Sequence, residues 1–558
     1  MRKPTVWVWG AAGLTVAAVG VAAALHGAVT TGLAHPVLAT GPLPAHTPAA
    51  PAGSSVATTA ASSTAARATA TTTATTTATP AATRKAASAS TGTGTSVGAG
   101  CATPTPVPTP TRRTVVGSGT TATCTAGALR SALRSGGYVT FDCGGAVTIA
   151  VTQEITTTGT TVIDGGGKVT LDGGGQNRIF VVGQDATLSV RNLRLVNGRA
   201  TAANNLRAGG AIVGYFRSHL EIIGSTFENN NAGMGGGAVM IGTEGRLSIV
   251  RSLFTGNTSA YGGAVYSLLE PLTVVGSTFT DNSTSTSGGS GEGGAIVTDG
   301  GAPANASSGG GQILICGSTF NRNSGHNSGG GVYLWAYARD RVIVQNSTFA
   351  NNSVAGLGGG ARVSIGKTDY ASTGTIRVTG DTIMSNTATG NGGGLYIDCL
   401  TVCDLQNSTF YHNSSKAYGG AVFGDGHHDN GVTYANNFAS GHGGALFGSK
   451  FVLNNTVFTG NAAGNPWGQA MSCSSTGTGA HVLQWLATSR DGSTPCIGGT
   501  VTGANPQLQQ PASNGGSTVT MMPSATSPVL RAGSGCLPRD QRGVARGATC
   551  DLGAVQRS

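Results

Sequence analysis

Two carboxylates, each set four residues beyond a repeated small-residue position, are the side chains best spaced to do chemistry. Asp398 lies four residues after Gly394 and Asp425 four after Ala421. On successive turns of one repeat these positions are equivalent, and the carboxylates are expected to stack at about 4.8 Å. Asp404, His427, His428 and Asp429 lie nearby in sequence. Like charges this close raise one pKa or recruit a cation. The pair therefore reads as a solvated pair on a turn, a Ca2+ site or a catalytic pair. The preceding coil has Ser364 at this position and the following one Ser449, so the cluster is two coils deep. The same offset places Tyr215 and Trp335 on other coils, with Phe216 and Tyr337 beside them. Exposed, such aromatics form a sugar-stacking surface; otherwise they are a local cluster covering one side of the fold.

Other catalytic signals are absent or absorbed by the repeat. Gly441-His442-Gly443 matches a hydrolase-type Gly-His-Gly but falls inside a repeated glycine pair. A lyase needs clustered Asp ligands for Ca2+ and an Arg or Lys base, and no Arg-x-Pro-x-x-Arg pattern occurs. A hydrolase needs paired carboxylates, which leaves Asp398 and Asp425 as the best residues. Ten cysteines in an exported chain are most simply disulfides. Proximity suggests Cys124–Cys143, Cys399–Cys403, Cys473–Cys496 and Cys536–Cys550, with Cys101 and Cys316 left over. No CxxC or His/Cys spacing supports zinc.

What must position these residues is a repeat. One motif is Phe-x-x-Asn: Phe227/Asn230, Phe254/Asn257, Phe279/Asn282, Phe320/Asn323, Phe349/Asn352, Phe410/Asn413 and Phe458/Asn461. Ile383/Asn386 and Tyr434/Asn437 are degenerate copies. The other is a glycine pair followed by a small and an apolar residue, beginning at Gly209, Gly236, Gly262, Gly293, Gly329, Gly358, Gly392, Gly419 and Gly443. A period of this length denotes a solenoid or array. Between the motifs lie short alternating apolar runs such as Leu247-Ser248-Ile249-Val250, which read as strands; no segment shows a convincing helical period. Three short strands and their turns make one coil of a parallel β-helix, with Phe stacked inside, Asn at a left-handed turn bonding its neighbours above and below, and glycine where a Cβ is not tolerated. Sequons such as those at Asn257 and Asn407 fall out of this repeat and do not read as glycosylation. Gly/Ser/Ala-rich insertions at 283–292 and 300–311, and another at 366–374, are loops suited to a binding face.

Composition agrees. Glycine supplies 92 of 558 residues, with no G-X-Y period. The formal charge of +10 invites a nucleic-acid reading. It is not borne by the repeat: nine basic residues and no acid precede Asp142, and the remainder holds 23 basic against 22 acidic residues. Nucleic acid is not an expected partner. Arg2 and Lys3 precede an apolar run from Val6 to Leu25, a cleaved signal ending near Val37-Leu38-Ala39 or a retained N-terminal anchor. Residues 1–39 are assigned to it, with membrane contact if it is uncleaved. Residues 40–113, mostly Ala, Thr, Ser and Pro, read as a disordered stalk. The helix is assigned to 114–500 and a C-terminal region to 501–558.

The alternating motifs over roughly 209–470 resemble the polymorphic outer-membrane protein repeat of right-handed parallel β-helix proteins. Cys124-Thr-Ala-Gly-Ala-Leu-Arg-Ser-Ala-Leu, Tyr138-Val-Thr-Phe-Asp and Ala146-Val-Thr-Ile look like the opening coil of such proteins, and Ile163-Asp-Gly-Gly-Gly and Leu171-Asp-Gly-Gly-Gly are similar to their first coils. Asn505-Pro506, Leu508, Asn514-Gly515-Gly516, Thr518, Ser527-Pro528, Asp540-Gln541-Arg542-Gly543, Arg546 and Asp551-Leu552-Gly553-Ala554 resemble the choice-of-anchor Q region found after such helices. With no sorting signal, hydrophobic tail or barrel after it, anchoring is expected from the N-terminal run. The resemblance implies an all-β, right-handed parallel β-helix of about 12 coils with a disordered N-terminal stalk, on an exported bacterial protein, secreted or at the cell surface. The expected role is structural or adhesive, with an extracellular polysaccharide or cell-surface glycan as ligand at Tyr215, Trp335 and Tyr337 and no cofactor. The alternative is a pectate lyase-like polysaccharide lyase or glycoside hydrolase using Asp398 and Asp425, with Ca2+ if a lyase, since parallel β-helices host both.

Overall fold

A computed structural model describes residues 100–557 except 135, 202–203, 205, 286–290, 304–307, 338, 367–372, 465–470, 486–494 and 500. The expected leader (1–39) and stalk residues 40–99 lie outside the described residues, as do the central parts of the three insertions. The chain divides into Met1–Ser90 and Thr91–Ser558, and the second unit holds the fold.

One coil shows how the sequence makes it. Leu272–Val275 and Thr278–Thr280 are two strands of a 24-stranded sheet, Ser283–Thr284 belongs to a 10-stranded sheet, and Ile296–Asp299 to an 11-stranded sheet. These are called the first, second and third sheets below. Each strand pairs in parallel with the same strand of the coils on either side, as in Phe254↔Phe279↔Phe320. The architecture is a parallel β-helix, nearly all β. The two strands in the first sheet meet at a corner where φ is positive, +58° at Gly276 and +52° at Asn346, conformations that glycine and asparagine adopt at least cost. A hydroxyl ladder ties this corner: Ser252 N–H donates to Ser277 Oγ at 3.1 Å and Ser277 N–H to Ser318 Oγ at 3.2 Å.

The motif residues stack through the interior. Phe227, Phe254, Phe279, Phe320 and Phe349 lie face to face at centroid distances of 4.7, 4.8, 4.9 and 4.8 Å, all buried. Ile383 interrupts the stack, which resumes as Phe410, Tyr434 and Phe458 at 5.1 and 5.0 Å. The Asn side chains form a continuous amide ladder. Asn282 Oδ1 accepts the N–H and the Nδ2 of Asn257 at 3.0 and 2.9 Å, and Asn282 Nδ2 donates to Phe254 O at 3.0 Å. Asn413 does the same further along: its Oδ1 accepts the N–H and the Nδ2 of Asn386 at 3.1 and 3.0 Å, and its Nδ2 donates to Ile383 O at 2.8 Å. The pattern runs from Asn230 to Asn461.

The left-handed turn expected at these asparagines lies elsewhere. None of Asn230, Asn257, Asn282, Asn323, Asn352, Asn386, Asn413, Asn437 or Asn461 has a positive φ; the residue before each does. The angle is +54° at Asn229, +56° at Asp281, +57° at Asn351 and +55° at His412, which precedes Asn413. The physical reason is the ladder: each amide is turned inward, and all nine asparagines are buried. The left-handed corner beside it is exposed at Asp281, Asn351 and His412. Burial in the ladder also removes Asn257 as an acceptor for glycosylation.

The glycine pair has two separate reasons. Gly262 has φ of +58°, and a Cβ on Gly263 would overlap the carbonyl oxygen of Gly294 on the next coil.

Among the described residues one α-helix departs from the expectation of none. Ala126–Leu133 closes the N-terminal end, burying Leu129, Ala132 and Leu133, with Thr125 Oγ1 accepting Ala128 N–H at 3.1 Å. Eight residues are too few for a periodicity, so its legible signal is the N-cap threonine. All ten cysteines are paired: Cys124–Cys143, Cys399–Cys403, Cys473–Cys496, Cys536–Cys550, and the two left over, Cys101–Cys316.

Both ends of the described chain lie on the first sheet. Residues 100–112, read in sequence as disordered stalk, are bonded to it: Val107 N–H donates to Glu221 Oε1 at 2.8 Å and Arg191 Nη1 to Thr109 Oγ1 at 3.2 Å. The C-terminal region docks through Gln541, whose Oε1 accepts Thr409 Oγ1 at 2.6 Å and whose Nε2 donates to Thr382 Oγ1 at 2.9 Å. Val529 and Leu552 pack with Val457 and Leu483 in a small core of their own.

Candidate functional site

The first sheet is overlaid at both ends, and the third sheet carries the candidate residues; its outer face is buried at Met240, Tyr266, Val297 and Tyr333 and half-buried at Arg362, Tyr396, Phe423 and Phe447. Register determines what the third sheet displays. In each coil the strand after the glycine pair turns alternate side chains inward, as Val265 and Ser267, and outward, as Tyr266 and Leu268. The first outward column runs Met240↔Tyr266↔Val297↔Tyr333↔Arg362↔Tyr396↔Phe423↔Phe447. The second runs Leu268↔Asp299↔Trp335↔Ser364↔Asp398. A band of aromatic rings edged by carboxylates results.

Arg362 is the centre of this band. Its guanidinium lies 4.9 Å from the Tyr333 ring centroid and 5.0 Å from that of Tyr396, a cation held between two π faces. Its Nη1 donates to Ser328 Oγ at 2.8 Å and its Nη2 lies 3.7 Å from Asp398 Oδ2. Toward the C-terminal end the rings stack on one another: Tyr396–Phe423 at 4.9 Å, Phe423–Phe447 at 5.2 Å and Tyr418–Phe447 at 4.6 Å. Toward the N-terminal end Tyr337 donates its hydroxyl to Asp299 Oδ1 at 2.7 Å, and Trp335 meets Tyr333 edge to face at 6.2 Å. Burial drives the Tyr333 and Tyr337 phenols well above their ordinary range, the Asp299 carboxylate adding to the effect on Tyr337. Burial and then Asp398 push Tyr396 up to about 12. All three remain neutral donors at physiological pH.

The residues singled out in sequence fall here as follows. Trp335, Tyr337 and Asp398 lie together in the band, and Trp335 and Asp398 share a column two coils apart. Tyr215 is at its N-terminal end, packed with the cluster of Val213, Met240 and Tyr266. No strand pairing joins Asp398 to Asp425. The strand Val422–Phe423 has only two residues, so register with Leu395–Asp398 ends at Tyr396↔Phe423. Each carboxylate then has its own partner on opposite sides. Asp398 Oδ2 accepts Ser364 Oγ at 2.6 Å from the coil before, and Asp425 Oδ1 accepts Ser449 N–H and Oγ at 2.6 and 3.0 Å from the coil after. Among the described residues no group of three or more His, Cys, Asp or Glu side chains is arranged to hold a metal ion.

The neighbouring residues separate as well. Asp404 faces outward against Arg377 at 3.5 Å, and His428 is exposed. His427 and Asp429 are fully buried inside the cylinder. His427 Nδ1 lies 2.6 Å from Asp429 Oδ1, and Tyr434 donates to Asp429 Oδ2 at 2.7 Å. Asp429 occupies the core position where adjacent coils place Leu405 and Leu453, and Tyr434 the position of Phe410 and Phe458.

The band residues missed in sequence were Tyr266, Asp299, Tyr333, Arg362, Tyr396, Phe423 and Phe447. The fifth residue of the glycine-pair stretch, to which the motif gives no role, supplies the first column: the copies at Gly329, Gly358 and Gly392 end in Tyr333, Arg362 and Tyr396. The second sheet displays mainly hydroxyls, Thr258↔Ser283↔Ser324↔Ser353↔Thr387↔Ser414, over a shallow groove of about 410 Å³ that Lys416 also lines.

The family model of the Chlamydia polymorphic membrane protein repeat matches residues 251–268. That stretch holds Phe254, Asn257, Gly262 and Gly263, so the match covers one copy of the motifs described above. No curated protein matches this chain.

Proposed function

We propose that this protein is an exported surface β-helix with a structural and adhesive role, and that it binds extracellular glycan on the outer face of its third sheet. The observation that carries the reading is the register itself. It gathers Tyr333, Arg362, Tyr396, Trp335 and Asp398 on one face while residues 100–112 and the C-terminal region occupy the first sheet. Neutral phenols, a fixed guanidinium and carboxylates beside ring edges suit a polyhydroxylated ligand. The repeat match supports a surface location, because the matched repeat is that of a membrane protein family. The apolar leader supplies the route out of the cell in this reading.

The lyase or hydrolase alternative depends on Asp398 and Asp425 acting together, and their separate hydrogen-bond partners favour adhesion over it. The test is a broad glycan array, probed with the full-length protein and with the Trp335→Ala/Asp398→Asn variant. The reading expects wild-type binding without cleavage, reduced at least tenfold in the variant. No binding by correctly folded wild-type protein, or turnover of a polysaccharide that Asp425→Asn abolishes, would falsify it.

A further inference from the structure

Residues 103–110 read Thr-Pro-Thr-Pro-Val-Pro-Thr-Pro, so each is a proline or directly precedes one. Proline fixes its own φ and pushes its predecessor into the extended region, which leaves polyproline II as the shared conformation. The burial pattern has the matching period of three: Cys101, Pro104, Val107 and Pro110 are half-buried, and the two residues between each are exposed. Three residues of such a helix rise about 9.3 Å, and two coils of the β-helix rise about 9.6 Å. The two repeats are commensurate, so every inward residue of the strap meets the first sheet in a similar place.

Both ends of the match are fixed. Cys101 is bonded to Cys316, the last residue of the strand Gln312–Cys316. Val107 sits between Glu221, which accepts its N–H, and Arg191, which donates to its carbonyl. Cys316, Val275, Val250, Ile223 and Arg191 are successive register partners, four coil steps or about 19 Å. The six residues from Cys101 to Val107 span about 19 Å as polyproline II. Glu221 is an outward-facing but buried carboxylate whose oxygens are taken by Val107 N–H, Ser189 Oγ and Arg191. The strap completes it.

We propose that this segment is a tension-bearing staple. The chain that precedes Gly100 is joined to the body at Cys316, in mid-solenoid, and not at the first coil. Tension arriving through residues 1–99 enters at Cys316 and bypasses the 215 residues closed by the Cys101–Cys316 bond. Without the bond the same tension strips the strap and then peels the N-terminal helix and first coils one at a time, because each coil of a solenoid is held only by its neighbours. The inference concerns the mechanics of attachment and does not depend on glycan binding.

The test is single-molecule pulling on the full chain between its two termini, comparing wild type with Cys101→Ser/Cys316→Ser. Cys124–Cys143 still holds 19 residues in the variant. Complete unfolding should therefore release about 650–700 Å more contour length than in wild type, at about 3.3–3.6 Å per residue. The proposal expects that extra length in the earliest, lowest-force steps. Equal lengths, or extra length appearing only after the later coils have opened, overturn it. A second variant leaves the disulfide intact: Val107→Pro keeps the polyproline conformation and an apolar ring at the inward position, and removes the N–H that Glu221 accepts. Trypsin cleavage at Arg112 and Arg113 should become about tenfold faster, the factor carried by one hydrogen bond to a charged group. An unchanged rate means the strap is not held by this contact and overturns the account.

Discussion

Two adjacent asparagines should differ sharply in their tolerance of substitution. Asn352 is in the buried amide ladder. Its Oδ1 accepts Asn323 N–H at 2.9 Å and Asn323 Nδ2 at 3.0 Å, and its Nδ2 donates to Phe320 O and Asn386 Oδ1, both at 3.0 Å. Asn352→Ala strands two buried groups, the Asn323 N–H and one Nδ2 hydrogen of Asn323, while the Phe320 carbonyl stays in the parallel ladder with Thr348–Ala350. Asn386 Oδ1 keeps the Asn352 backbone N–H at 2.9 Å. At about 1–3 kcal/mol for each stranded group, with partial relaxation into the space left, the expected loss is about 2–5 kcal/mol. Asn351, one residue earlier, is exposed at the left-handed corner, φ +57°. Gly256 and Gly460 occupy the same corner in other coils at +64° and +63°. Asn351→Gly should therefore change stability by less than about 0.5 kcal/mol. Urea unfolding followed by circular dichroism, with the slope checked for constancy, reads both. A loss below about 1 kcal/mol for Asn352→Ala, or comparable losses for the two variants, would refute the claim that the ladder and not the turn explains the asparagines.

Other consequences concern single departures from the repeat. Asp381 replaces serine in the corner ladder; its Oδ1 accepts Ser347 N–H at 2.7 Å, while Oδ2 is buried without a partner. Burial raises its pKa well above the usual carboxylate range. The folded state then holds a proton that the unfolded state releases, so this group's stabilisation is present below about pH 4 and is lost as pH rises through the raised value. Asp381→Ser should gain about 1–2 kcal/mol at about pH 7.5 and little at about pH 4, read from paired melting curves; a larger gain at the lower pH contradicts the sign. Phe320→Ala opens the interior stack, where Phe279 and Phe349 lie at 4.9 and 4.8 Å, and should cost about 3–5 kcal/mol in chemical denaturation. Asp429→Leu matches the Leu405 and Leu453 positions in shape but strands His427 and Tyr434, so a loss of about 2–4 kcal/mol is expected despite the apolar replacement. A stabilised protein would mean that the triad is dispensable.

The repeat was legible because each motif residue answers one local demand that recurs. A ring must stack, an amide must bridge two coils, and a glycine must leave room for the next backbone. The strap was not legible because its partners are far along the chain: Val107 meets Glu221, 114 residues away. Thr/Pro composition fits an ordered polyproline rail as well as a free linker. Asp398 and Asp425 are equivalent by counting, but the strand Val422–Phe423 is two residues shorter than Leu395–Asp398, so the ladder ends before Asp425 and each carboxylate bonds a serine of a different coil. The left-handed turn was assigned one residue too late, at Asn413 where it belongs to His412, because asparagine suits both a turn and a ladder. The outward column of Tyr333, Arg362 and Tyr396 was hidden inside a motif whose other positions are interior. Only the register separates the two faces.

The most direct test of the working face is hydroxyl-radical footprinting of the protein with and without a glycan selected from the array. Three aromatic side chains have nearly equal exposure: Tyr418 at 40%, Phe438 at 41% and Trp485 at 41%. Tyr418 stacks on Phe447 in the third-sheet band, Phe438 lies on the second sheet, and Trp485 is in the first. The account predicts that bound glycan protects Tyr418 together with Trp335 and Tyr396, leaving Phe438 and Trp485 labelled as before. Protection of Phe438 or Trp485 with Tyr418 unchanged would contradict it.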